Sequence, residues 1–351
     1  MWHLEKPSDK ELDTYISCLL PHIKKRINKQ RADANEKTWC DYLLPNDDAD
    51  NIIKDILTSE PKKLFKLNNI HINNLLRAQQ SQIDARDNNY TYSERQLRHY
   101  LKAKRKRKKN DRHVSLVERY ERLFMFLIKV FDYGIVKGSI AYQIAQIKNI
   151  NTCPYCNRSY TFAIGKDKLA SIIRPHFDHW FAHTHYPLLS LSFYNLIPSC
   201  SNCNSSVKGT NHYSLKTHIH PYLTTSYEPD FKFIPILKFD KESDSVKWGV
   251  MIKRDILSRE NRMIIDLALD EIYDCHGELE VKDIMDFALK NNPTYLHDLF
   301  SSVCSKLQEE YKPEDVYRMM FGIEAEIDKT HIRPFSKLKR DILYGEGIRI
   351  D

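Results

Sequence analysis

The hydrophobic positions divide the chain into stretches of different period. Leu116, Tyr120, Leu123, Phe124, Phe126, Leu127 and Val130 recur at the three- and four-residue spacing of a helix with one buried face. Ser115-Leu-Val-Glu118 at their head has the form of a capping box, so the helix is expected to begin there. A shorter amphipathic stretch follows over Ser139–Ile147, and residues 1–150 read as a helical region. Between about 225 and 250 the period becomes two. Phe231-Lys-Phe-Ile-Pro-Ile-Leu-Lys-Phe and Val246-Lys-Trp-Gly-Val-Met-Ile alternate, with Asp-Lys-Glu-Ser-Asp-Ser between them to supply a turn. Helical spacing returns from about 255, most clearly in Arg262–Tyr273 and Val281–Leu289, and the tail after Leu343 reads as exposed.

Residues 151–222 fit neither pattern. They are rich in Cys, His, Pro, Asn, Ser and aromatics and contain few helix-length apolar periods. Such a segment cannot build a large core unaided, and small units of this composition usually depend on a metal. The expected fold is therefore α+β and mostly helical. It has three parts: a helical region (1–150), a small metal-stabilised module (151–222), and a mainly helical α+β region (223–351). No internal repeat is present.

With 42% hydrophobic and 29% charged residues over 351 positions, the composition is that of a soluble globular protein. Collagenous, mucin-like and wholly disordered chains are excluded. The first residues carry charges where a signal peptide needs an apolar run. The longest apolar stretch, Leu123–Phe131, is interrupted by Lys129 and too short to span a bilayer. A cytoplasmic protein without membrane contact is the expectation. The net charge of +7 suits a polyanionic partner without requiring one.

Four of the eight cysteines form two tight pairs, Cys153-Pro-Tyr-Cys156 and Cys200-Ser-Asn-Cys203, whereas Cys18, Cys40, Cys275 and Cys304 are scattered. Without secretory context, paired C-x-x-C spacings read as metal ligands and the single ones as reduced thiols. Zn²⁺ prefers four tetrahedral soft ligands, so two such knuckles, with 43 residues between Cys156 and Cys200, can close one structural site. On the cysteines alone, a purely structural zinc ribbon explains the pattern equally well.

The segment between the knuckles changes that balance. In order it contains Asp178-His179, Asn195-Leu196, Cys203-Asn204 and Lys208-Gly209. This arrangement resembles the HNH (ββα-metal) nuclease family, over Cys153 to Gly209 and under a fifth of the chain. One departure is the gap of four from Asn204 to Lys208, where three is common.

The resemblance implies a divalent-metal-dependent endonuclease that leaves 5′-phosphate and 3′-hydroxyl ends. Asp178 and Asn204 would hold one Mg²⁺ or Mn²⁺, and His179, neutral near pH 7, would take the proton from the attacking water. Asn195 would orient the loop and hold the base in position. Adjacent strand residues face opposite ways, so a bend or bulge is expected where Asp178 and His179 must work together. His176, two before Asp178, is a candidate further ligand or phosphate contact. Lys208, Arg158 and Arg174 are candidate phosphate contacts; either arginine could equally be structural.

Lys102-Ala-Lys104-Arg105-Lys106-Arg107-Lys108-Lys109 places seven basic residues in eight positions. Beside a nuclease motif, such a run is expected to track phosphates without choosing sequence. The flanks weakly resemble accessory regions of bacterial anti-phage HNH proteins, which would make a partner ATPase the expected protein contact. DNA is the expected substrate. The alternatives are a zinc-stabilised nucleic-acid-binding protein without catalysis, or an RNase using the same centre.

Overall fold

The computed structural model describes residues 2–45, 50–78, 112–166, 170–209, 211–224, 226–291, 298, 302 and 312–349. The basic run Lys104, Arg105, Lys106, Arg107, Lys108 and Lys109, together with Cys304, lies outside them. The described residues form a mixed α+β fold dominated by helices, with three two-stranded antiparallel sheets.

Helices α1 (Asp9–Gln30), α2 (Lys37–Leu43), α3 (Asn51–Thr58), α4 (Pro61–Ala78), α5 (Arg112–Val130) and α6 (Gly138–Lys148) make up the N-terminal region. A capping box does open a helix, but at Ser8 rather than Ser115. Glu11 returns to the Ser8 backbone N–H at 2.7 Å, while α5 is already helical before Ser115. On α1, Tyr15, Leu19, Ile23 and Ile27 form a fully buried stripe. At about 1.5–3 kcal/mol for each buried side chain, this stripe far outweighs the capping contribution of about 1 kcal/mol. From α5, Tyr120, Leu123, Phe126, Leu127 and Val130 enter the same core, with Phe126 against Trp39 at a ring separation of 5.3 Å.

Among the described residues six strands follow: β1 (Ile164–Lys166), β2 (Ala170–Ile173), β3 (His176–His179), β4 (Leu196–Ser199), β5 (Phe231–Asp240) and β6 (Ser245–Arg254). β5 and β6 pair in continuous register from Phe231↔Arg254 to Asp240↔Ser245, the hairpin that the alternation predicts. Its proximal half buries Phe231, Phe233, Val250 and Ile252, whereas Leu237, Phe239 and Val246 stand in solvent.

The C-terminal region contains α7 (Arg259–Asp266), α8 (Leu269–Asp274), α9 (Lys282–Lys290), α10 (Pro313–Phe321) and α11 (Ser336–Gly345). The continuous helix expected over Arg262–Tyr273 is broken at Ala268, which adopts φ +47°. The apolar period hides this break because both helices bury the same side, through Met263, Ile264, Leu269 and Tyr273. The Arg254 guanidinium fixes α8 in its new direction by bonding both Asp270 oxygens at 2.6 and 2.7 Å. The tail after Leu343 also departs from expectation. It folds back so that the Ile348 N–H reaches the Leu343 carbonyl and the Ile348 side chain is buried.

One apolar core runs from Trp2 to Ile348 through all three regions. The first knuckle is where they meet. Trp2 donates its backbone N–H to the Pro154 carbonyl, Phe335 donates to the Asn157 carbonyl, and the Tyr273 hydroxyl bonds the Cys156 carbonyl. The buried Asn157 amide also reaches the Thr330 and Arg333 carbonyls. Among the described residues, no helix is long and apolar enough to cross a membrane.

Candidate metal centre and the adjoining histidine site

The two C-x-x-C turns converge. The sulfurs of Cys153, Cys156, Cys200 and Cys203 all lie within 4.8 Å of one another, with Cys156 and Cys200 at 3.9 Å. A tetrahedral Zn²⁺ with bonds of about 2.3 Å requires sulfur–sulfur edges of about 3.8 Å, so the four thiols fit that ion. They are too far apart to be disulfides. Local backbone geometry builds each turn. Asn157 takes φ +49° and returns its N–H to the Cys153 carbonyl, while backbone N–H groups of Arg158 and Cys203 point at the sulfurs of Cys156 and Cys200. Burial pushes the Cys153 thiol well above its ordinary range, as expected for a cluster that needs a cation before its protons leave.

β3 and β4 pair antiparallel from His176↔Ser199 to His179↔Leu196, and a helical turn of π type, Asn202–Lys208, follows the second knuckle. The extra residue between Asn204 and Lys208 falls within this widened turn, the usual way a helix takes up an insertion. The β3–β4 register is regular, so the bend or bulge expected at Asp178-His179 is absent. The two side chains accordingly serve opposite faces.

On one face, Asp178 is only 4% exposed, and the Lys208 ammonium sits 2.7 Å from both of its carboxylate oxygens. The Tyr155 hydroxyl donates to the same carboxylate at 2.5 Å. Lys208 also bonds the His179 carbonyl at 2.6 Å and lies over the Tyr213 ring. Lys208, expected at a phosphate, is therefore a buried counter-ion at 3% exposure. Asn204, half-buried, makes only a 3.4 Å contact to the Ser205 hydroxyl, and no described hydrogen bond joins it to Asp178. As the side chains stand, Asp178 and Asn204 do not fit a shared divalent ion, because the carboxylate is already neutralised by an ammonium.

On the other face, His179 Nε2 lies 3.0 Å from the Ser190 carbonyl. A carbonyl can only accept, so Nε2 carries the proton and the neutral ring presents Nδ1 as its acceptor. Burial, then the neighbouring His183, lowers the His179 pKa to about 4. The ring packs edge-on against Tyr133 at 4.8 Å and against His183 at 4.7 Å.

Asn195 is fully buried and fixes this arrangement. Its carbonyl oxygen accepts from Phe181 N at 2.6 Å, and its amide donates to the carbonyls of Phe181 and Leu189. The loop that carries Ser190 is thereby pinned to the end of β3. Replacing Asn195 with Ala strands the buried N–H and carbonyl of Phe181, each costing about 1–3 kcal/mol, while the Leu189 carbonyl keeps the Ser192 N–H. Asn195→Ala is expected to lower the melting temperature and free the His179 ring, which the imidazole ¹⁵N shifts would report as a mixture of tautomers.

Arg158 is half-buried and reaches His276 Nε2 at 3.0 Å, so it faces the C-terminal region. Arg174 and His176 are exposed at the start of β3; the Arg174 guanidinium bonds the Pro175 carbonyl and also the Tyr133 side chain, the ring that packs on His179. Sequence reasoning missed Tyr155 and Tyr133. Tyr155 lies inside the first knuckle, where a metal reading draws attention only to sulfur. Tyr133 comes from another region, and no local spacing announces it. No known protein family, curated protein or solved structure matches this chain.

Proposed function

We propose that the chain is a phosphodiester-hydrolysing endonuclease acting on DNA, in which the Cys₄ zinc site holds a β3–β4–helix unit in shape and His179 is the general base. The observation that carries this reading is the bond from His179 to the Ser190 carbonyl. It fixes the tautomer, leaves Nδ1 as proton acceptor, and is braced by Asn195, which pins the loop carrying Ser190. In the reaction, Nδ1 takes the proton of a water whose oxygen attacks phosphorus. The bond to the 3′ oxygen breaks and that oxygen takes a proton from solvent water, leaving a 3′-hydroxyl and a 5′-phosphate. No step is assigned to a divalent ion, since Lys208 occupies the Asp178 carboxylate.

A second reading, a zinc-stabilised nucleic-acid-binding protein with a silent centre, is favoured by that same Lys208–Asp178 pair. The readings separate on a substrate panel. Duplex DNA, single-stranded DNA and RNA of one sequence are incubated with zinc-loaded protein and Mg²⁺ or Mn²⁺, and the product ends are analysed. The nuclease reading expects DNA fragments with 5′-phosphates. Cutting of RNA alone assigns the centre to an RNase, and binding without cutting of any substrate supports the silent module.

A further inference from the structure

We infer that a basic cleft between α1 and the loop leading into α6 is the track on which the duplex DNA backbone lies as it approaches His179. This rests on the nuclease reading and deepens it. His22, Lys25, Arg26 and Lys29 recur at helical spacing on α1, on a flank beside its buried stripe. They line one wall of a cleft of about 440 Å³, and Lys137 and Gly138 belong to the other wall. Among the described residues no acidic side chain lines it. The nearby Asp132 is held by Arg26 at 3.0 Å, and among the described residues Lys25, Lys29 and Lys137 make no ion pair. All three are exposed.

Size and position select the occupant. From His22 to Lys29 the helix rises about 10 Å at 1.5 Å per residue, which matches about three steps along one strand at 3.4 Å per step. Gly138, at φ +54° with nothing within 4 Å of an added Cβ, leaves the floor bare for close approach of a backbone. The cleft also adjoins the chemistry. Gly134 lines it, and the preceding residue, Tyr133, is the one packed edge-on against His179. A strand seated here lies beside the segment whose Tyr133 packs on the proposed base. A contrasting cleft is lined by Asp33, Glu36, Glu118 and Glu121 against only Arg122 and Lys129, the latter already paired with Glu36, and so suits a polyanion less well.

The test is fluorescence anisotropy of a labelled DNA duplex with the full zinc-loaded chain, titrated across a KCl series. Each phosphate contact contributes about 0.9 to the slope of log affinity against log salt. The variant Lys25→Gln/Lys29→Gln/Lys137→Gln is expected to lower that slope by about 2.7. A control on the distant hairpin, Lys232→Gln/Lys253→Gln, is expected to leave it unchanged. Equal slopes for wild type and the triple variant overturn the cleft, as does an equal loss in the control or a wild type that does not bind duplex DNA. Cutting is read on the same duplex. Cutting with an unchanged slope removes the cleft and keeps the nuclease reading, whereas a cleft-dependent slope without cutting keeps the cleft and removes the nuclease reading.

Discussion

Stripping the metal from the four cysteines is expected to unfold the centre of the molecule, not merely to silence it. Structural Zn²⁺ contributes roughly 10–16 kcal/mol to small folded units, while whole domains are stable by only about 5–15 kcal/mol. The loss therefore exceeds the margin. It also spreads, because the first knuckle is where Trp2, Tyr273 and Phe335 bring the N- and C-terminal regions together. Trp180, fully buried on the residue after His179, provides a reporter. Chelation, or Cys200→Ser, is expected to shift tryptophan emission to the red and remove the cooperative melt, with recovery of the wild type on adding Zn²⁺. Unchanged emission and melting in a sample shown by metal analysis to be zinc-free would contradict the structural role.

The second large effect concerns Lys208. Removing one partner of a buried ion pair costs about 3–5 kcal/mol, because the other charge remains without compensation. Lys208→Met leaves the Asp178 carboxylate with Tyr155 alone, in a site that water barely reaches. The single variant should melt far below wild type, and Asp178→Asn/Lys208→Met should recover most of the loss by removing both charges. A Lys208→Met protein as stable as wild type would show that the pair does not form in solution. The same double-mutant cycle therefore bears on whether Asp178 is free to serve any other cation.

The sequence was most informative where a single chemical constraint acted locally. Two C-x-x-C turns predict a converged sulfur cluster because the ligand spacing alone nearly determines the geometry, and the alternation over residues 231–252 predicts a hairpin for the same reason. The fold was less legible where the outcome depended on partners distant in the chain. Ser115 and Ser8 carry the same capping signature, but packing outside the local pattern decides where each helix begins. The break at Ala268 is masked by a shared buried side, and the tail looks exposed until Ile348 finds the core. At the candidate site, Asn195 was legible as a loop-holder. The pairing of Lys208 with Asp178 was not, because the spacing that suggested a phosphate contact cannot reveal that the side chain turns inward.

The claim that matters most is that His179 does chemistry. It is tested by supplying supercoiled plasmid with Mg²⁺ or Mn²⁺ to the purified wild type and to His179→Ala, the two matched for zinc content and melting temperature. Loss of a general base costs about 10²–10⁴ in rate. The account predicts nicked or linear plasmid from the wild type and, over the same time, essentially none from the variant. Equal cutting by both proteins would contradict it.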